Sequence, residues 1–415
     1  MEFGKYLTVA ILYLVTFRST LGVFNSFLSY FPLGLILLIS IVDFRKTFKT
    51  VEFNQNKLLI AYIFPVYVIL ISLVFLFTKT SQLEVLAIGV GNFVLTLIFW
   101  MGRMVASERH FAQLKESMDK QFLFLGIILS VGCIIQYYFS QNIYGLIHGS
   151  TFGEMELKQN VTKRGVSFIT SPQAFGACMF IPIIILMQNL NKKADSRTIL
   201  VGCLFLFVAF LTGTRVLLAM LIFHAVILML LRKKYKIMFI GILCFLGLII
   251  IEPLLSGNST MNRIYDYAYS IDTIGSSERV GIWNYYLFSQ TDLISKLFGE
   301  GAGTLSRGVE LILNTSNYYS STESYYLQNY LEIGLVGLSF YLVLIVISVR
   351  TLLLDKNTTE TGIALISISF VNLTISPAYY GYTTSFYYNY ILVYGIIKTC
   401  KKKQNEKIHL YSTNT

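Results

Sequence analysis

Apolar stretches long enough to cross a bilayer recur along this chain, separated by short segments that hold most of its charge. A crossing segment has to satisfy its backbone hydrogen bonds internally, so it is either a helix or part of a closed barrel. A spanning helix takes about 20 apolar residues. The runs that meet or approach this in the first half are Tyr6 to Phe17, Phe24 to Val42, Leu58 to Thr78, Val85 to Gly102, Gln121 to Ser140 and Pro172 to Met187. The second half continues with Ile199 to Leu211, Val216 to Leu231, Ile237 to Leu255, Tyr325 to Val349, Ile363 to Tyr379 and Thr384 to Ile397. The spacing predicts an all-α polytopic membrane protein of about 12 transmembrane helices, with residues 1–415 forming a single integral membrane domain.

Composition agrees with that reading. Hydrophobic residues make up 55% and charged residues 13% of the chain, about half the charge of an ordinary soluble domain. A net charge of +11 would suit nucleic acid only if it gathered in a patch on a soluble face. Here Lys and Arg sit in short runs between apolar stretches, the pattern that sets membrane topology, and no nucleic-acid partner is expected. The five cysteines (Cys133, Cys178, Cys203, Cys244 and Cys400) fall in apolar runs or the basic tail, which argues against a disulfide framework or a thiolate metal site. The first apolar run has no small-residue cleavage site after it and is expected to remain as the first span.

With both termini inside, 23 of the 33 Lys and Arg lie on the cytoplasmic side, including Arg45, Lys46, Lys49, the Arg232 to Lys236 cluster and Lys401 to Lys403. The positive-inside rule favours this orientation. Two outer loops are then long enough to build something, at residues 141–171 and 256–324. The larger holds seven acids against four bases. No internal repeat is evident, which speaks against a transporter built from duplicated halves.

Several residues on the outer face have chemistry to offer. Arg215 stands in Leu211-Thr212-Gly213-Thr214-Arg215-Val216-Leu217, between two apolar runs. A guanidinium there needs a cavity or a partner, because a lipid-facing charge is expensive. Gly213 permits a break, and the amides of the next helix beside an Arg suit a phosphate; the alternative is an Arg that snorkels to headgroups. Arg279 opens a short amphipathic segment, Ser276-Ser277-Glu278-Arg279-Val280-Gly281-Ile282-Trp283-Asn284-Tyr285-Tyr286-Leu287, with Ser276 or Ser277 as its N-cap. A cation in a first turn opposes the helix dipole and points to an anionic partner, Glu278 being one candidate and a substrate another.

Arg164, in Lys163-Arg164-Gly165-Val166-Ser167-Phe168, reads equally as an anion ligand or a solvated loop charge, and Arg307 more readily as the latter. Leu297-Phe298-Gly299-Glu300-Gly301-Ala302-Gly303 lacks the βαβ setting of a nucleotide loop and reads as a flexible turn returning the chain to the bilayer. Glu323, in Thr322-Glu323-Ser324-Tyr325-Tyr326-Leu327-Gln328, is a candidate general base or acceptor-binding carboxylate at the mouth of a dry cavity. Its alternative role is a helix cap. Trp283, Tyr318, Tyr319, Tyr325 and Tyr326 are aromatic residues within or bordering the larger outer loop. HExxH, P-loop and CxxC patterns are missing, as is an outer-loop DxD diphosphate site, so arginines are the natural counter-ions for any phosphate handled there. No metal and no cofactor are expected.

Four motifs in this order resemble the O-antigen polymerase and ligase superfamily, and the Wzy-type polysaccharide polymerases most closely: the Thr-Gly-Thr-Arg break, the Glu-Arg-x-x-x-Trp segment, the Phe-Gly-x-Gly-x-Gly turn, and Glu-Ser-x-x-Leu-Gln followed by Glu-x-Gly-x-x-Gly-Leu over Glu323 to Leu338. The resemblance implies a GT-C-like glycosyltransferase of the bacterial inner membrane, with short helices in its large outer loop and a site facing the periplasm. It implies a donor glycan linked to undecaprenyl diphosphate, transferred without metal or nucleotide sugar. Arg215 and Arg279, with Arg164 beside them, would hold the diphosphate, and Arg215, Arg279 and Glu323 would carry the catalysis. Arg307, Trp283, Tyr325 and Tyr326 would line the substrate path, where these rings, with those of Tyr318 and Tyr319, would stack on sugar faces. A separate chain-length regulator is the implied protein partner, and membrane lipid the other. Ligases of the superfamily carry His-Asn where this chain has Glu323-Ser324, which favours a polymerase. The rival readings are the ligase itself and a transporter or flippase of lipid-linked oligosaccharide.

Overall fold

The computed structural model describes residues 2–24, 26–50, 56–78, 90, 94–106, 111–139, 167–169, 172–192, 195–212, 214–232, 281, 283–287, 292–302, 324–372 and 382–412. Helix accounts for 93% of these described residues. In chain order the helices are α1 (Glu2–Thr16), α2 (Arg18–Phe24), α3 (Ser26–Thr50), α4 (Asn56–Thr78), α5 (Thr96–Ala106), α6 (Phe111–Phe139) and α7 (Pro172–Lys192). They continue with α8 (Ser196–Leu211), α9 (Arg215–Arg232), α10 (Leu293–Phe298), α11 (Tyr325–Leu354), α12 (Thr359–Ser367) and α13 (Tyr382–Ser412), and a π-helical turn, Ile368–Asn372, follows α12.

Each predicted apolar run carries helix in its described part, except 237–255, which lies outside the described residues. Three helices among the described residues are long and apolar enough to cross a membrane: Phe111–Tyr138, Gln173–Leu190 and Tyr325–Leu354. The other apolar helices, such as Ala61–Phe77 and Val216–Leu231, are shorter. Among the described residues the fold is therefore all-α and compatible with a membrane protein, with three helices that meet the length and composition of a crossing; the count of about twelve is not shown.

Several helices run past the apolar runs that predict them. α6 begins ten residues before Gln121 because Lys115 pairs with Asp119, and Lys120 with Glu116 at 2.7 Å, each pair one turn apart. Those charged turns continue the helix where hydropathy stops.

The chain packs as two compact units, residues 1–32 with 115–281 and residues 33–114 with 282–415. In the first, the Tyr13 hydroxyl of α1 donates to Gln121 Oε1 of α6 at 2.8 Å. Gly126 of α6 lies against Phe205 of α8 and Pro182 of α7, where a Cβ would come within 2.7 and 2.8 Å of them. The second unit centres on Trp100 of α5, whose Nε1 donates to the Phe386 carbonyl of α13 at 2.8 Å while its ring meets those of Phe99, Phe386 and Tyr390. Beside it Asn389 Nδ2 donates to Thr96 Oγ1 at 2.7 Å. Among apolar surroundings such hydrogen bonds contribute about 0.6 kcal/mol each, up to about 1.7. Arg103 of α5 makes a bidentate, buried ion pair with Asp43 of α3, and Gly102 lets the two helices meet there. Lys398 of α13 pairs with Asp355 at 2.5 Å and reaches Thr358 Oγ1 at 2.8 Å, joining α13 to the turn between α11 and α12.

Candidate functional site

In the first unit, α8 stops at Leu211 and α9 starts at Arg215. Two threonines hold the break. Thr212 Oγ1 donates back to the Ala209 carbonyl at 2.7 Å and accepts from the Thr214 amide at 3.2 Å. The two hydroxyls also meet at 2.8 Å, and both residues are buried. Gly176 of α7 gives Thr214 its place, since a Cβ there would lie 2.7 Å from Thr214 Oγ1. Arg215 is thus the first residue of a helix whose start is fixed by backbone-directed hydroxyls, as a Thr-Gly-Thr sequence favours.

The segment after Arg164 is also anchored. Ser167 has φ 54, an uncommon backbone for a non-glycine residue. Its amide donates to Gln136 Oε1 of α6 at 2.8 Å. Phe168 packs edge-on against Phe17 at 5.1 Å, and Gly132 of α6 leaves the room that Ser167 and Phe168 fill. Arg164, Arg279, Arg307 and Glu323, with Tyr318 and Tyr319, lie outside the described residues.

In the second unit the helical segment at 283–287 rests on α11. Tyr286 is buried with Leu327 and Leu331, and Trp283 and Tyr330 pack against the three. Ser324 is the N-cap of α11, its side chain accepting from the Leu327 amide at 3.3 Å. The capping role open to Glu323 is therefore filled by its neighbour. Tyr325 is buried with its ring 5.8 Å from that of Tyr341, and Tyr326 donates to the Ser369 carbonyl at 2.9 Å. Their rings are engaged within the second unit.

The most elaborate construction in this unit joins two glycine-bearing motifs. α11 is interrupted at Gly334, whose φ 70 and ψ −179 belong to a region that only glycine enters readily. The three carbonyls before that break accept from outside the helix. Leu331 O takes the Glu300 amide at 3.0 Å, Glu332 O takes the Gly301 amide at 2.8 Å, and Ile333 O takes the Tyr67 hydroxyl of α4 at 2.8 Å. A kink left without such partners would strand polar backbone in an apolar interior. The approach is close enough that a Cβ at Gly299 would collide with the Glu332 carbonyl group, and one at Gly334 with the Leu297 carbonyl oxygen. So Phe298 to Ala302 is a bonded joint and differs from the flexible turn its glycines suggest.

Polar side chains line the N-terminal half of α11. Gln328, Asn329 and Glu332 are all buried, and Gln328 Nε2 donates to Glu332 Oε1 at 3.3 Å. Among the described residues no three His, Cys, Asp or Glu side chains gather as metal ligands would. Compared with models of known protein families and with curated proteins, the chain matches neither a family nor a relative.

Proposed function

We propose that this protein is a polysaccharide polymerase of the inner membrane, joining repeat units carried on undecaprenyl diphosphate. The observation that carries the reading is the joint between Phe298–Ala302 and Leu331–Gly334. These stretches belong to two motifs on which the resemblance rests, and the close approach of each accounts for one glycine of the other, Gly299 and Gly334. The helix break before Arg215 supports it as well, since it sets that residue at a helix start, where amides and guanidinium together suit a phosphate.

In this mechanism the acceptor sugar hydroxyl attacks the anomeric carbon of the growing chain. The new glycosidic bond forms as the bond to the diphosphate oxygen breaks, and the acceptor proton passes to the Glu323 carboxylate. Undecaprenyl diphosphate leaves with the electron pair. Arg215 and Arg279, with Arg164, stabilise the charge that gathers on it, as bidentate guanidiniums do in a water-poor site. Arg307 and Trp283 serve the sugars. Both termini lie in the cytoplasm and the site opens to the periplasm, as the Lys and Arg distribution favours. A chain-length regulator is the protein partner.

Deletion of the gene followed by gel analysis of the surface glycan tests this. A polymerase leaves a single repeat unit on its anchor and no ladder. A second reading, a flippase of the same lipid-linked glycan, is favoured by the buried Glu332 beside a broken helix, a setting used for coupling groups in transporters. Loss of every repeat unit would favour the flippase or a ligase. Arg215→Ala and Arg279→Ala should each abolish extension while the protein still inserts; normal ladders from both would remove the diphosphate clamp.

A further inference from the structure

The two halves of α11 are held differently. Beyond Gly334 the helix packs side chain to side chain, with Ser348 against Gly395 of α13 and Tyr341 against Phe64 of α4. Before Gly334, side-chain packing is joined by a second hold: the main-chain carbonyls of Leu331 to Ile333, two of them bonded to the turn and one to Tyr67. Tyr67 is placed for this. Its ring lies 6.0 Å from that of Phe340, and Gly337 leaves it room, since a Cβ there would fall 2.7 Å from Tyr67 Cε1. One turn further along α4, Ser72 holds the other partner, its Oγ accepting from the Ala302 amide at 3.2 Å and donating to the Val68 carbonyl at 2.7 Å. A single helix thus grips both the break and the turn that fills it.

We propose that Tyr67 is a positioning residue: by holding the Ile333 carbonyl it sets the angle at which the N-terminal half of α11 leaves the break, and so the place of its N-cap, Ser324, at the far end. That the reaction depends on this end of α11 rests on the polymerase reading; what Tyr67 holds rests on geometry. From Ile333 to Ser324 the helix rises about 14 Å, at about 1.5 Å per residue. A tilt of about 5° at the break moves that end by about 1 Å, and a displacement of that size is enough to cost up to about 100-fold in rate.

Tyr67→Phe tests the idea, because it keeps the packed ring and removes only the donor. Purified wild type and variant would be compared for extension of lipid-linked repeat units and for backbone hydrogen exchange at 297–303 and 331–337. The expected result is faster exchange at both stretches, kcat lower by about tenfold and KM unchanged within about twofold. Faster exchange with kcat intact would overturn the proposal, as would unchanged exchange, and either leaves the polymerase reading standing. Wild-type protein that extends no chain under conditions where its lipid-linked substrate is intact would remove that reading and the proposal together.

Discussion

The amide of Gly301 donates to the carbonyl of Glu332 at 2.8 Å, so a turn in the segment before α11 is bonded to main chain about two turns inside that helix. Gly299 and Gly334 are what let the two stretches approach so closely.

Gly334→Ala should be among the most damaging small substitutions in the chain. The backbone there costs a non-glycine residue about 1–3 kcal/mol, and the new methyl group would meet the Leu297 carbonyl. Apparent Tm in detergent is expected to fall by several degrees. Gly34→Ala in α3 is the control: it meets no atom within 4 Å and gains about 0.5–1 kcal/mol of helix propensity. A Gly334→Ala protein as stable as wild type would mean that the break is not needed.

Asp43→Ala leaves Arg103 charged and buried without its carboxylate. A loss of about 3–5 kcal/mol is expected, while the double variant Asp43→Leu, Arg103→Met should recover most of it by replacing the pair with apolar volume. Denaturant titration of the three proteins decides this. If the double variant is no better than the single one, the ion pair has a role beyond compensating its own burial.

α10 presents Leu293 and Ile294 at 68% and 67% exposure, in a protein whose other apolar helices suit a membrane. A nitroxide placed by Ile294→Cys, with Cys203, Cys244 and Cys400 changed to Ser and only the buried Cys133 and Cys178 kept, should collide with oxygen more often than with a water-soluble nickel chelate once the protein is in vesicles. The opposite ratio would place this helix in water.

Arg279→Lys separates geometry from charge. If two parallel hydrogen bonds to the diphosphate matter, a point charge is a poor substitute and extension should slow by about 10- to 100-fold. Near-normal rates would mean that simple positive charge suffices there.

The helices were legible in the sequence because burial in an apolar medium writes itself as long unpolar runs, and the break before Arg215 because Thr-Gly-Thr both interrupts a helix and supplies hydroxyls to repair it. Helix ends were less so. Lys115, Glu116, Asp119 and Lys120 sustain α6 through pairing one turn apart, which hydropathy does not register. Residue type draws Tyr325 and Tyr326 towards a sugar-stacking role, but the direction of a ring is set by its neighbours, and the fold turns Tyr325 onto Tyr341. The glycines at 299, 301, 334 and 337 announce unusual backbone or close approach. That they serve one joint, and that Tyr67 completes it from far earlier in the chain, follows only from the tertiary arrangement. Arg164, Arg279, Arg307 and Glu323 are candidates by their chemistry and sequence setting, and lie outside the described residues.

The Gln136 amide oxygen that receives the Ser167 amide marks where the first long loop rejoins the helices. A splint at that place fixes where the chain meets α6 at Ser167, whatever the number of residues that precede it. The length of sequence before that point can therefore change without rebuilding the helices beneath it.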